Sequence, residues 1–205
     1  YAAIIGENPS SGARSPKLWD AAFKDNKIDA VMHPFDVTRD NLNDVLVEIS
    51  SDNNFIGGAV AVPYKTEIAL WLGEKNLTKE AHNIGAVNCI FKDENGILKG
   101  TNTDGAAALK CLENQLNNLK NKSIIQLGCG GAGRAVAAYI AGNSIKLDIA
   151  ARYRTEIDDF TKKINASLLD WNNFVYQLDD YDVIINTTSI GFQNINDSPL
   201  EQKDI

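Results

Sequence analysis

The 205-residue sequence predicts an α/β fold in two domains. Three observations carry that expectation. Apolar strand-like runs alternate with helix-like stretches along most of the chain, the pattern of parallel strands joined by crossover helices. An alanine- and leucine-rich stretch at 104–116 and a polar stretch at 114–122 interrupt the alternation. A fresh strand-like run at 123–127 then leads into the glycine loop Gly128-Cys129-Gly130-Gly131-Ala132-Gly133 and a helix-like run. The expected division is an N-terminal α/β domain over 1–102 and a parallel-sheet domain over 103–205.

Taken in order, residues 1–5 read as a strand ending at Gly6. Ser15 and Pro16 open a helix to about Lys24, with Ser15 as N-cap and Pro16 at the first helical position. A second strand is expected at 30–35, and a helix at 39–50 with Leu42, Val45, Leu46 and Ile49 on one face. A third strand at 58–62 is stopped by Pro63, and 65–72 reads as helix. Residues 86–92 and 97–100 form a hairpin about Asp93-Glu94-Asn95-Gly96, because an Asn-Gly pair suits a tight turn. After the helix at 104–116 come a strand at 123–127, a helix at 132–141, a strand at 146–151, a helix at 154–164 and a strand at 182–186.

Bulk properties narrow the classes of function. A hydrophobic fraction of 44% and a charged fraction of 23% are those of an ordinary globular protein. The net charge of −7 argues against general nucleic-acid binding, since phosphate backbones attract basic surfaces. No apolar run approaches the roughly 18 residues of a membrane span, so no membrane partner is expected. The opening residues lack a basic flank and read as a strand, not a signal peptide. Cys89, Cys111 and Cys129 are an odd, scattered set, which suits a reducing cytoplasmic compartment and buried thiols. His33 and His82 lack neighbouring ligands, so no metal is expected.

The glycine loop satisfies G-x-G-x-x-G with a strand before it and a helix after it. Such glycines permit a tight turn and let main-chain N–H groups approach a pyrophosphate at the helix N-terminus. Gly128, Gly130, Gly131, Ala132 and Gly133 are therefore expected to bind a dinucleotide in a Rossmann-type domain. The next strand ends Ala150-Ala151-Arg152-Tyr153-Arg154, without the acid that would hold an NAD ribose; Asp148 lies inside the strand. Guanidinium groups at Arg152 and Arg154 suit a 2′-phosphate, so the expected cofactor is NADP.

Lys65 just past a strand and Asp104 at a helix start would each mean little alone. Their company changes that. Gly6…Asn8-Pro9…Arg14-Ser15-Pro16, Val62-Pro63-Tyr64-Lys65, Ile84-Gly85-Ala86-Val87-Asn88, Gly100-Thr101-Asn102-Thr103-Asp104-Gly105 and Gly128 to Gly133 stand in one order. Arg152 and Asn186-Thr187-Thr188-Ser189-Ile190-Gly191 complete the series, which resembles the shikimate dehydrogenase family over nearly the whole chain. The resemblance implies an N-terminal substrate domain, an NADP-binding Rossmann domain and reversible reduction of 3-dehydroshikimate to shikimate in the shikimate pathway of aromatic amino acid biosynthesis. It implies that Lys65 and Asp104 are the catalytic pair, that Ser15, Asn88 and Thr103 bind an anionic polyol acid, and that Thr188 joins the cofactor set. A monomer or homodimer is expected.

Three departures bear on specificity. The family's His-Ser-x-Ser-Pro is here Gly12-Ala13-Arg14-Ser15-Pro16, with Glu7 as an extra residue upstream. Its Asn-Val-Thr-Val-Pro is Ala59-Val60-Ala61-Val62-Pro63. Two substrate-side hydroxyls are thus replaced by Ala13 and Ala61, unless Ser10, Ser11 or Arg14 substitutes for them. Losing a hydrogen bond to a charged group costs roughly 1.5–3 kcal/mol. Quinate or an aminated shikimate analogue is therefore an alternative substrate, and a catalytically silent dinucleotide-binding homologue is an alternative role. Family members also continue past the position of Ile205, with more strands and a returning helix, so a further C-terminal part is expected.

Overall fold

A computed structural model of the protein describes residues 1–116, 118–144, 146–192 and 194–201. The polar stretch at 114–122 and the expected C-terminal domain thus each include residues outside those described: 117 in the first, 117, 145, 193 and 202–205 in the second. The chain divides into two compact units, Tyr1–Thr103 and Asp104–Ile205.

The first unit is built on a five-stranded mixed sheet. Strands β1 (Ala2–Gly6), β2 (Met32–Asp36), β3 (Gly57–Val60), β4 (Cys89–Lys92) and β5 (Leu98–Thr101) lie in the order β2-β1-β3-β4-β5. The first three are parallel, and the hairpin β4–β5 runs antiparallel to them. Helices α1 (Ser15–Asp25), α2 (Leu42–Ser51), α3 (Lys65–Leu72) and α4 (Lys79–Ile84) complete the unit. All five residues of β1 are buried because both faces are covered. Ala3 and Ile5 join Leu46, Ile49, Ile68 and Leu72 from α2 and α3. Ala2 and Ile4 join Phe23 of α1 and Met32. Hence β1 reads as a continuous apolar run and not an alternating one.

Local departures from expectation have physical reasons. Helix α1 starts one residue early: Arg14 is its N-cap, in a helical conformation, and no side chain caps it. N–H groups of a first turn need no intrahelical partner, and Pro16 has none to satisfy, so Ser15 can enter the helix. Strand β3 ends at Val60, before Pro63, because the chain already turns at Ala61, whose carbonyl accepts from Tyr64 N–H at 3.2 Å. The hairpin turn is held by Asp93, whose Oδ1 accepts from the N–H groups of Asn95 and Ile97, both at 2.9 Å. Helix α4 is capped by Thr78, whose side chain accepts from Ala81 N–H.

The second unit is a four-stranded parallel sheet. Helix α5 (Asp104–Leu116) precedes β6 (Ser123–Leu127), α6 (Gly131–Ile140), β7 (Lys146–Ala151), α7 (Thr155–Lys163), β8 (Ser167–Asp170) and β9 (Val183–Asn186). The sheet order is β8-β7-β6-β9. Residues of α5, α6 and α7 pack one face with Ile124, Leu147 and Ile149. Ile125, Leu127 and Ala150 face the other way, onto Phe174 and Leu178 of a short 3₁₀ segment. From β6 the chain builds outward to β7 and β8, then returns to place β9 on the other side. Such a reversal leaves a crevice at the carboxyl ends of the central strands.

Candidate active site

Lys65, Asn88 and Thr103, three of the residues expected to meet a substrate, lie in the segments just beyond the strands at one end of the first sheet, where β1, β2 and β3 end, β4 begins and β5 ends. Glu7 N–H donates to the Val62 carbonyl at 3.2 Å and Ala61 N–H to the Ile5 carbonyl at 2.8 Å, which ties the ends of β1 and β3 together. Tyr64 follows, almost fully buried, and its phenol donates to the Val37 carbonyl at 2.6 Å. Burial pushes that phenol above its usual pKa. The next residue, Lys65, opens α3, and its carbonyl accepts from Val87 N–H at 2.8 Å.

Asn88 is the centre of a second clamp. Its main chain bonds to Thr101 (3.1 Å) and Val60 (2.8 Å). Its side-chain Oδ1 accepts from Thr103 N–H at 3.0 Å, and its Nδ2 donates to Thr103 Oγ1 at 2.9 Å. Buried Asn102 donates to the Ala86 carbonyl at 3.0 Å, so 86–88 and 101–103 are zipped together. Because Thr103 Oγ1 accepts from Asn88, its own proton remains to be donated. Asp104 is joined directly to this clamped segment and begins α5.

Around Ala13 and Ala61 the structure narrows the options for compensation. Both alanines pack on the same apolar cluster beneath α1. Ser10 donates both its N–H (2.9 Å) and its hydroxyl (2.5 Å) to Asp36, which holds that carboxyl below its ordinary pKa. The Ser11 hydroxyl donates to the Asn8 carbonyl at 2.9 Å. Neither hydroxyl proton is left for a substrate carboxylate. Ser15 is half-buried and Arg14 exposed at the start of α1.

In the second unit the glycine loop connects β6 to α6. Gly128 has φ +92°, which L side chains rarely adopt, and a Cβ there would stand 2.9 Å from Thr188 Cγ2. A Cβ on Gly133 would meet Thr187 Oγ1 at 2.7 Å and the Gly128 carbonyl at 3.0 Å, so the helix packs against the loop only as glycine. Gly130 differs: nothing lies within 4 Å of where its Cβ would be. That open side, at the N-terminus of the ten-residue helix α6, is room for a phosphate to approach main-chain N–H groups. Gly131 and Ala132 form the first turn beside it.

Side chains that sequence reasoning missed brace this loop. Gln126 is fully buried in β6, and its Nε2 donates to the carbonyls of Gly128 (2.9 Å) and Gly133 (3.0 Å). Thr187 donates to the Leu127 carbonyl (2.9 Å), with the Gly128 carbonyl at 3.1 Å. The signal the sequence offers for Gln126 is a polar residue within an otherwise apolar strand. The end of β9 thus lies beside the loop, and Thr188 takes its place there with its hydroxyl donating to Asn186 Oδ1 at 2.7 Å. At the end of β7, Arg152 and Arg154 are exposed. Asp148 sits inside β7, buried and bonded to Lys146 and Tyr181, so no acid stands at that strand end. Of the cysteines, Cys129 is buried, with its thiol pushed up to about 11 by that burial, and Cys89 half-buried; Cys111 is exposed on α5 against expectation.

The family profile of the shikimate dehydrogenase substrate binding domain matches residues 4–90. A shikimate dehydrogenase (NADP(+)) of Methanocaldococcus jannaschii is 36% identical over 205 residues, covering 96% of this chain and 71% of that protein. The chain belongs to the shikimate dehydrogenase family. A second family member, from Methanococcus maripaludis, is 37% identical over 193 residues, covering 92% of this chain and 67% of its own length. A crystal structure of a shikimate dehydrogenase in complex with NADP+ superposes with a TM-score of 0.84 at 32% identity, covering all of this chain and 72% of that one. Among the described residues no group of potential metal ligands is found, and no helix is long and apolar enough to cross a membrane.

Proposed function

We propose that this protein catalyses the NADP-dependent, reversible reduction of 3-dehydroshikimate to shikimate. The observation that carries the reading is the second unit's cradle in a chain of this family: an open Gly130 at a helix start, with arginines and no acid at the neighbouring strand end. The residues present fit the dinucleotide. Main-chain N–H groups of 130–133 would hold its pyrophosphate, Arg152 and Arg154 its 2′-phosphate, and Thr188 would border it. When bound, NADPH supplies the hydride that reduces the ketone carbon.

The protein's own residues handle the charge. As the ketone carbon is reduced, negative charge grows on its oxygen. Lys65 stabilises that oxygen and delivers the proton that makes the hydroxyl. In the oxidative direction Lys65 takes the proton back. Asp104 orients the ammonium group, and the Asn88–Thr103 clamp supports the approach of the chain to Asp104. Thr103, Asn88 and Ser15 bind the polyol acid, with the Thr103 hydroxyl as a donor. The N-terminal unit is read as the substrate domain and the C-terminal unit as the dinucleotide domain. A cytoplasmic monomer or homodimer fits three free thiols.

The test is NADP+ reduction by the full-length protein over shikimate, quinate and aminated analogues. NADPH formation with shikimate is expected. A rate confined to quinate or an aminated acid would move the substrate to that compound, in line with Ala13 and Ala61. Dinucleotide binding with no turnover on any of these acids would overturn the enzymatic reading in favour of a silent homologue.

A further inference from the structure

We infer that Arg134 is a positioning residue that sets selectivity for the 2′-phosphate, by tying the first turn of α6 to the segment that carries Arg152 and Arg154. The inference rests on the reading of this unit as an NADP cradle. Arg134 lies in the first turn of α6, its N–H donating to the Gly130 carbonyl at 2.8 Å. Its side chain leaves that helix and grips α7 in two ways. Nη2 donates to the Glu156 carbonyl at 3.0 Å, and Cζ stands 4.9 Å from the centroid of the Phe160 ring. Phe160 is itself buried among the residues of α5, α6 and the sheet, so the ring is a fixed platform. A planar guanidinium can stack and donate at once; an ammonium cannot reproduce both.

What this grip fixes is the start of α7. Arg154 is its N-cap, and the Arg154 carbonyl accepts from Ile157 and Asp158 N–H groups at 3.0 and 3.1 Å. Arg152, Tyr153 and Arg154 form the whole link from the end of β7 to that helix, and all three side chains are exposed. Among the described residues, no side-chain hydrogen bond or ion pair orders either exposed arginine within the link. Their placement therefore follows from the two ends of the link: β7, held in the sheet, and α7, held by Arg134. The same residue belongs to the turn expected to receive the pyrophosphate, so it sets the spacing between the two phosphate-binding ends of one ligand.

The experiment measures calorimetric Kd values for NADP+ and NAD+ on the full-length protein, Arg134→Met, Arg134→Lys, Arg152→Ala and the Arg134→Met/Arg152→Ala double variant. Arg134→Met should weaken NADP+ binding about tenfold, the size of one misplaced charge-assisted hydrogen bond, and NAD+ binding much less. Arg134→Lys should not restore selectivity. The double variant should bind NADP+ no more weakly than Arg152→Ala alone, because Arg134 acts through that segment. Equal losses for the two cofactors would make Arg134 a general brace and overturn the inference. Additive losses would mean that it meets the phosphate independently, and would overturn it too. An unmutated protein without NADP preference would bring down the cofactor reading itself, and that is seen before any variant is made. If Arg134→Met fails to fold, Phe160→Leu removes the platform alone and must shift the same ratio in the same direction.

Discussion

In residues 1–103 the groups that would meet a substrate are side chains, held by partners distant in sequence; around Gly128 the groups that would meet a cofactor are main-chain amides, held by a contiguous loop. Asn88 grips Thr103 across the β4–β5 hairpin, and Tyr64 fixes the turn before Lys65 by bonding to Val37. The glycine loop is fixed by where a Cβ cannot go, with Gln126 and Thr187 as braces. The first arrangement places particular chemical groups and tolerates change poorly at those groups. The second places a backbone shape, which tolerates change on its open side and not on its packed side.

The largest expected effect is in the first arrangement. Lys65→Ala removes the donor to the developing alkoxide and should lower kcat roughly 10²–10³-fold. KM should change less, because the substrate keeps its other contacts. Asp104→Asn should also lower kcat, and the double variant should fall short of the product of the two effects. Near-normal kcat in Lys65→Ala, on the best substrate, would sink the mechanism.

Within the glycine loop the packed and open sides should separate. Gly133→Ala puts a methyl 2.7 Å from Thr187 Oγ1 and should cost about 1–3 kcal/mol of stability in denaturant unfolding. Gly130→Ala meets nothing within 4 Å and should unfold like the parent, yet weaken NADP+ and NAD+ alike. Unchanged cofactor binding in Gly130→Ala would remove the phosphate from that side of the loop. Arg152→Ala makes the complementary cut: NADP+ should lose about tenfold or more and NAD+ little, since only the former carries the 2′-phosphate. Matching losses by calorimetry would take Arg152 out of cofactor selection.

The same contrast explains what could be read in advance. Helices α3 and α5 and strands β6 and β7 match their expected bounds because their signals are local: a proline before, a glycine loop after, a run of apolar residues within. Strand β8 gives no readable pattern, being only four residues long, with both ends exposed and the two central residues half-buried. Helix α4, six residues long, gave no periodicity to count. The glycine loop is legible because its shape is written in six consecutive residues. The Asn88 clamp was not, since its partner lies 15 residues away and is met only once the hairpin forms. Arg134 carries no local signal of its own, because its partner Glu156 stands 22 residues on.

The smallest expected effect concerns the two alanines, and it tests whether the side-chain site can be re-equipped. Ala13 and Ala61 pack on one apolar cluster, so the two lost hydroxyls belong to one neighbourhood and not to unrelated positions. Ser10 and Ser11 have given their hydroxyl protons to Asp36 and Asn8 and cannot compensate. Ala13→Ser adds a single oxygen at a half-buried position beside Ser15 and should lower the KM for shikimate about threefold to tenfold, the range of one recovered hydrogen bond. Ala61→Thr must also fit a methyl where β1 and β3 crowd: a Cβ on Gly6 would stand only 2.9 Å from Ala61 Cβ. Its gain should therefore be smaller than that of Ala13→Ser, and kcat should be unchanged in both, because neither group meets the reacting oxygen. A KM that stays the same or rises in Ala13→Ser would mean that the carboxylate is held elsewhere. Arg14 is then the next group to test: Arg14→Gln should raise the KM for shikimate severalfold if its guanidinium has taken over the carboxylate, and leave it unchanged if it has not.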